Sequence, residues 1–151
     1  MNKLLFSLLT VLLFSNGLAQ NSRLETKLLQ TQTLTDKVFK GFDGLGNEYF
    51  VKNNVFIKQS ETETWEYKNV ALGKISAVDI INPLKIVLFY EDFNTVILLD
   101  NQLNEIQKLN LFDIDNTIFA SKIGMASQNK LWIYNALKQQ IMLFDYLKNT
   151  S

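Results

Sequence analysis

The sequence predicts an all-β protein built from repeated antiparallel hairpins. Residues 85–100 read KIVLFYEDFNTVILLD, in which two apolar runs flank a polar turn, as expected of a buried hairpin. Residues 130–145 read KLWIYNALKQQIMLFD and repeat this arrangement about 45 residues later without a gap. No stretch predicts a helix with comparable clarity. Hairpins that recur at a fixed interval are typical of a fold assembled from similar sheets.

The first 19 residues predict a secretory signal peptide. Lys3 supplies a positive charge, residues 4–14 form an apolar run, and Gly17 and Ala19 are small residues before a cut at Gln20. The run is much shorter than the roughly 20 residues of a membrane span. We therefore expect export to the periplasm or the cell exterior, with no transmembrane span after cleavage. An uncleaved N-terminal anchor is the alternative.

Three successive units of short strands follow a polar lead-in over residues 20–35, which has both helical and extended Leu spacings. In the first unit, a hairpin is predicted around Asn53-Asn54, and the alternation of Trp65 with Tyr67 predicts a half-buried strand. Strands of all three units are predicted over residues 37–42, 49–51, 55–57, 64–68, 75–81, 85–90, 95–99, 104–109, 118–123, 131–134 and 141–145. Residues 125–129 are predicted as a loop.

A period of 40–50 residues with four short strands is typical of β-propeller blades. The sequence thus predicts antiparallel four-stranded blade repeats of about 45 residues over 36–151, forming a partial β-propeller. Propellers close with about four to eight blades, and this chain accounts for two to three. We expect the N-terminal part of a longer propeller; a ring closed between chains or an open curved sheet are the alternatives.

One motif points to a family. Asp43, Gly46, Asn47 and Tyr49 follow the pattern Asp-x-x-Gly-Asn-x-Tyr, which resembles the NHL-like blade repeats of secreted bacterial β-propellers. The resemblance implies an architecture and little about function. It implies turn roles for Asp43, Gly46 and Asn47. Asp100 and Asp145, which occupy equivalent places after the second strand of each hairpin, are also predicted to be structural turn residues.

Composition removes several classes of function. The chain has no Cys and no His, so disulfides, imidazole metal ligands and Ser-His-Asp triads are excluded. Its 15 basic and 15 acidic residues give no electrostatic footprint for nucleic acid. No phosphate-binding loop, nucleophile elbow or zinc spacing is present. We expect no cofactor, no metal and no catalytic residue.

Three clusters allow a chemical interpretation beside a structural one. Residues 112–117 could begin a calcium loop but are more simply a solvated turn. Glu91 and Asp92 could form an acid/base pair but fit a hairpin turn better. Trp65, Trp132 and Tyr134 could stack on a sugar but are more often core residues.

The predicted function is that of an exported, non-catalytic scaffold that binds a protein or another cell-envelope macromolecule through its loops. The expected contacts lie in two turns, Glu91, Asp92, Phe93 and Asn94 in the first and Leu137, Lys138 and Gln139 in the second. One alternative is a glycan-active propeller enzyme whose catalytic residues lie mostly outside this chain. Another is a subunit of an outer-membrane or secretion assembly.

Overall fold

Three antiparallel sheets make up the part of the chain that a computed structural model describes, namely residues 25–28, 31, 33–127 and 129–150. The chain divides into two units, residues 1–33 and 34–151, and every described strand belongs to the second. The predicted signal peptide lies outside the described residues. The described residues of the lead-in before Asp36 contain no strand.

Each sheet is a meander in which strands pair in the order of the sequence. Sheet 1 contains β1 (Val38–Phe42), β2 (Glu48–Lys52), β3 (Val55–Gln59) and β4 (Thr64–Lys68). Sheet 2 contains β5 (Ala77–Asp79), β6 (Ile86–Tyr90), β7 (Thr95–Leu99) and β8 (Glu105–Asn110). Sheet 3 contains β9 (Ala120–Ser127), β10 (Lys130–Asn135) and β11 (Gln140–Asp145). A single helical turn, α1 (Leu111–Ile114), joins sheet 2 to sheet 3.

The predicted hairpins are present, and their turns follow from local residue chemistry. Between β2 and β3, Asn53 and Asn54 have φ angles of 49° and 62°. Positive φ at both central residues is the requirement of the type I′ turn, whose twist matches that of paired strands, and Asn tolerates it. The β6–β7 and β10–β11 hairpins pair Val87 with Leu98 and Trp132 with Leu143.

Sheet 2 contributes to two hydrophobic cores, because all ten residues of β6 and β7 are buried. Side chains alternate between faces along a strand. Ile86, Leu88, Ile97 and Leu99 therefore pack in one core with Tyr49 and Phe56 of sheet 1. Val87, Phe89, Val96 and Leu98 pack in the other with Leu131, Ile133 and Phe144 of sheet 3. Both faces of β6 are therefore buried, which confirms the prediction of a buried hairpin over residues 85–100.

The structure corrects three predicted boundaries. The strand predicted over residues 75–81 is reduced to β5, because Asp79 and Asn82 accept backbone hydrogen bonds from Ile81 and Leu84 and turn the chain. The loop predicted over residues 125–129 is wrong for its first half, since β9 continues to Ser127. The C-terminal part of β9 is stabilised by a contact with sheet 2, because Met125 N donates a hydrogen bond to Asp79 Oδ2 at 2.8 Å.

The third correction concerns α1, which the sequence did not indicate. Asn110 caps this turn, because its side-chain oxygen accepts a hydrogen bond of 3.0 Å from Phe112 N. At four residues the helix is too short for a periodic signal.

The strands form three separate sheets rather than one closed barrel. Sheets 1 and 2 have four strands each, whereas sheet 3 has three within the described residues. The part of the chain that the structure describes contains no helix long and apolar enough to cross a membrane.

Candidate functional site

The predicted contact turns lie at the same end of sheets 2 and 3 and differ in what they expose. In the β6–β7 turn, Glu91 and Asp92 are exposed and Phe93 is 49% exposed. In the β10–β11 turn, Leu137 is 68% exposed, and Lys138 and Gln139 are also exposed. An exposed apolar residue thus lies in each turn.

Asn94 differs from its neighbours, because its side chain is only 2% exposed. It adopts the left-handed conformation with φ of 44°. Its Nδ2 donates to the carbonyl oxygen of Ile118 at 2.6 Å, and its Oδ1 accepts from Ala120 N at 3.1 Å. Its backbone oxygen accepts from Leu111 N at 3.0 Å. Asn94 therefore fixes the turn to the β8–β9 connection and does not offer its side chain to a partner.

Asn135 performs a similar role beneath the second turn. Its Nδ2 donates to Thr117 O at 2.8 Å, while its Oδ1 accepts from Leu137 N at 3.1 Å and from Lys138 N at 3.3 Å. Lys138 Nζ also reaches Thr117 Oγ1 at 2.8 Å. Both turns are thus attached to the same connecting segment by side-chain hydrogen bonds.

That connecting segment adds an aromatic pair which the sequence analysis did not single out. Phe112 and Phe119 are exposed, and their rings meet edge to face with centroids 5.0 Å apart. The backbone oxygen of Phe119 accepts a hydrogen bond from Ala136 N at 2.7 Å, which places the pair beside the second turn. The exposed apolar residues here, called the turn surface below, are Phe93, Phe112, Phe119 and Leu137.

The exposure of Phe119 follows from the burial of its two neighbours, which the sequence alone did not establish. Phe119 lies between Ile118 and Ala120, both of which are buried. An apolar residue between two inward-facing neighbours points outward in an extended chain.

At the opposite end of the sheets, aspartates close the loops. Asp43 Oδ1 accepts from the backbone N–H of Leu45 and Asn47, both at 2.9 Å. Its Oδ2 accepts from Asn47 Nδ2 at 2.8 Å and from the Tyr49 hydroxyl at 2.9 Å. Gly46 in this loop has φ of 83°, a value that favours glycine.

The loop after β7 repeats this geometry. Asp100 Oδ1 accepts from Gln102 N and Asn104 N, each at 2.8 Å, and its Oδ2 accepts from Asn104 Nδ2 at 3.0 Å. After β11, Asp145 Oδ1 accepts from Leu147 N at 3.1 Å and from Asn129 Nδ2 at 2.9 Å. Each loop has the spacing Asp-x-x-x-Asn, with the asparagines at 47, 104 and 149.

These bonds affect the ionisation of the carboxyl groups. Burial is the largest single effect on Asp43 and raises its pKa. The hydrogen bonds from Asn47, Tyr49 and Leu45 together outweigh it, so the pKa lies below the usual value. For Asp100, the side-chain hydrogen bond from Asn104 is the main cause of a lowered pKa. Both carboxylates therefore favour the charged form that their loops require.

The segment considered as a calcium loop is a capped turn. Asp115 Oδ1 accepts from Thr117 N at 2.8 Å and from Thr117 Oγ1 at 2.7 Å, and the first of these bonds is the main cause of its lowered pKa. Among the described residues, no group of three or more acidic side chains could hold a metal ion. A cavity of about 670 Å³ lies beside this segment, lined by residues 112–116, Ile118, Phe144, Asn149 and Thr150.

The fold separates Trp65 from Trp132 and Tyr134, the other two aromatic residues considered for sugar stacking. Trp65 lies on β4, packs against the core shared by sheets 1 and 2, and has Lys58 Nζ 4.7 Å from its ring centroid. Trp132 and Tyr134 lie on an exposed face of β10. The sequence therefore did not distinguish the half-buried Trp65 from the exposed Trp132 and Tyr134.

No protein-family model matches this chain, and no curated protein compared with it is significantly similar.

Proposed function

We propose that this chain is an exported, non-catalytic, β-propeller-like scaffold that binds a protein or another cell-envelope macromolecule through the turn surface. The observation that carries the proposal is the exposure of Phe93, Phe112, Phe119 and Leu137 at one end of two hydrogen-bonded sheets. Apolar and aromatic side chains that stay exposed on a fixed backbone are typical of protein interaction sites.

The rigidity of the supporting layer favours this function. Asn94 and Asn135 are both buried, and each attaches its turn to the segment that carries the aromatic pair. A partner would meet a surface that needs little ordering, and a pre-ordered surface lowers the entropic cost of association.

The propeller-like architecture belongs to the same proposal. Its support is the repetition of a sequential antiparallel meander about every 40–45 residues, with successive sheets sharing cores. Export is supported by the residues of the predicted signal peptide.

Site-specific photocrosslinking in the cells that make the protein tests the proposal. A photoreactive phenylalanine analogue would replace Leu137 in one variant and Ile81 in another. Ile81 is 85% exposed and lies near the opposite end of sheet 2, so it is a matched control. We expect a discrete, saturable adduct from position 137 only, which Phe119→Asp weakens.

Adducts of equal yield and pattern at both positions would contradict specific use of the turn surface. Fractionation of the same cells tests export separately, because an exported chain begins at Gln20 and a retained one keeps its first 19 residues.

A further inference from the structure

Sheet 2 packs against sheet 3 through one of its faces, and sheet 3 has an equivalent face on its other side. Val87, Phe89, Val96 and Leu98 form the face of sheet 2 in the shared core, and all are at most 1% exposed. The residues about 45 positions later are Trp132, Tyr134, Ile141 and Leu143. The strand pairs correspond as well, since Val87 pairs with Leu98 and Trp132 pairs with Leu143. We call these four later residues the open face of sheet 3.

The open face is exposed although its counterparts are core. Trp132 is 49% exposed and Ile141 is 71% exposed, while Tyr134 and Leu143 are each 37% exposed. All four side chains point to one side, because residues paired across antiparallel strands share a face. A contiguous patch of two aromatic and two aliphatic side chains is unusual on a sheet face turned to water.

Within the described residues, sheet 3 has no counterpart of β8, the fourth strand of sheet 2. In sheet 2, Asp100 N donates to Asn104 O and β8 then pairs with β7. In sheet 3, Asp145 N donates to Thr150 O at 2.8 Å in the same way. Within the described residues, the edge of β11 that faces away from β10 is paired only through this bridge between Asp145 and Thr150. The cavity of about 670 Å³ is lined by Phe144, Asn149 and Thr150 near this edge.

We infer that the open face of sheet 3 is a docking surface for a further antiparallel sheet of the same repeat. Sheets 1 and 2 share one core, and sheets 2 and 3 share another, so the open face continues a sheet-on-sheet interface that this chain makes twice. Within sheet 3, the residues that pack against sheet 2 are Leu131, Ile133, Met142 and Phe144. The docking sheet would carry aliphatic or aromatic residues at the four equivalent positions.

A second copy of this chain fits less well. Sheet 1 would have to supply the contact through the face of Phe50 and Ile57. On that face Glu48 pairs with Gln59, at the positions where sheet 3 has the apolar pair Leu131 and Phe144. Phe50 is also already 1% exposed, with Lys37 Nζ 5.1 Å from its ring centroid.

A sugar ligand is also disfavoured by the chemistry of the open face. Trp132 and Tyr134 supply rings for stacking, and Lys122, which pairs with Tyr134, adds one cationic donor. Ile141 and Leu143 fill the rest of the face and offer no hydrogen-bonding group for the many hydroxyls of a sugar. Apolar side chains of another sheet could pack against all four residues of the open face.

The test is a chain extended by its own repeat. Residues 101–145 are joined directly after Asp145 in place of residues 146–151, so that copies of β8 and of sheet 3 follow in register. Trp65 and the appended copy of Trp132 are changed to Phe, which leaves the original Trp132 as the only indole. Acrylamide quenching of its fluorescence then reports whether the open face is covered.

We expect the quenching constant to fall at least about threefold relative to the unextended Trp65→Phe chain, because a buried indole loses access to solvent. A control extension carries Ile133→Asp and Phe144→Asp in the appended copy alone and is expected to leave quenching unchanged. If the intact extension is folded by circular dichroism and quenching stays high, the inference is overturned.

A second measurement does not require the extension to fold. In the unextended chain, Leu143→Ala is expected to shift Tm by no more than about 2 °C, whereas its counterpart Leu98→Ala lowers Tm by about 10 °C or more. An equal loss for both would mean that the open face is already buried by this chain and would overturn the inference.

Two other occupants are separate outcomes. Concentration-dependent protection of Trp132 together with dimer formation in light scattering would assign the face to a second copy. Protection by soluble cello- or chito-oligosaccharides would assign it to a sugar. Either result overturns the inference, which assigns the face to a sheet other than the three of a second copy. The inference rests on the repeat geometry and not on the turn surface, so its failure leaves the crosslinking test unaffected.

Discussion

The side chain of Asn94, in the β6–β7 turn of sheet 2, forms a hydrogen bond to Ala120, the first residue of sheet 3. Its Oδ1 accepts from Ala120 N at 3.1 Å, while its Nδ2 donates to Ile118 O at 2.6 Å. Asn94 follows β6, and Ala120 begins β9. Two buried backbone groups are thereby satisfied by one carboxamide. The bond pair sets where sheet 3 begins and supports the turn surface beside it.

Asn94→Ala is therefore expected to lower the free energy of unfolding by about 3–5 kcal/mol. Two buried backbone groups lose partners at about 1–2 kcal/mol each, and Ala in the left-handed region costs about 1 kcal/mol more. Asn94→Gly should recover only that last part, because glycine tolerates the φ of 44°. Urea titrations of both variants measure the two contributions. Equal losses would show that the backbone conformation carries no cost.

The carboxylate of Asp79 provides a second link between sheets 2 and 3. Its Oδ2 accepts from Met125 N at 2.8 Å and its Oδ1 from Ile81 N at 2.9 Å. We expect Asp79→Ala to destabilise the chain by about 1–3 kcal/mol and to speed amide exchange at Met125 above all. The exposed Asp92 is the control, and Asp92→Ala should change stability by less than about 0.5 kcal/mol. Unchanged exchange at Met125 would contradict the link.

The hydroxyl of Tyr90 is buried without a hydrogen-bond partner among the described residues. Burial, with a smaller contribution from the charge of Glu105, raises the pKa of Tyr90 to about 12. Tyr90→Phe removes an unsatisfied polar group, so we expect stability to stay constant or rise by about 1–2 kcal/mol. Tyr49→Phe is the matched comparison. Its hydroxyl donates to Asp43 at 2.9 Å, and its loss should cost about 0.5–1.5 kcal/mol. Thermal unfolding of both variants checks the contrast, which a clear loss for Tyr90→Phe would refute.

The lowered pKa values of two loop aspartates imply that the free energy of unfolding falls in acid. Asp43 and Asp100 have pKa values below the usual 3.8, so the unfolded chain binds protons more readily than the folded one. Their contribution is fully present above about pH 5 and is lost as pH falls through their folded pKa values. The double variant Asp43→Asn, Asp100→Asn should lose less stability between about pH 5 and pH 3 than the parent chain. Parallel pH profiles from urea unfolding would show that these carboxylates make no contribution.

Much of the strand pattern was predictable because burial leaves a local signature. The continuous apolar runs of β6 and β7 predicted a buried hairpin, and the alternation of Trp65 with Tyr67 predicted a half-buried strand. The turn at Asn53-Asn54 was predictable from the tolerance of Asn for positive φ. In each case the information lies within a few neighbouring residues.

The candidate site was predictable only in part. Phe93 and Leu137 lie in turns that the polar interruptions of the hairpins located. Asn94 was grouped with them, although its side chain points inward to Ile118. Phe112 and Phe119 were missed, because their exposure depends on a helical turn and a connection whose neighbours are distant in sequence.

By itself, the sequence determined the all-β class, the repeat of about 45 residues and most of the hairpins, since period, apolar runs and turn residues act locally. Only the tertiary structure decided which faces meet. Val87 and Trp132 occupy equivalent places in the repeat, yet one is 1% exposed and the other 49%. The physical reason is that burial depends on whether a second sheet lies over a face, and a strand pattern alone does not record the presence of that neighbour.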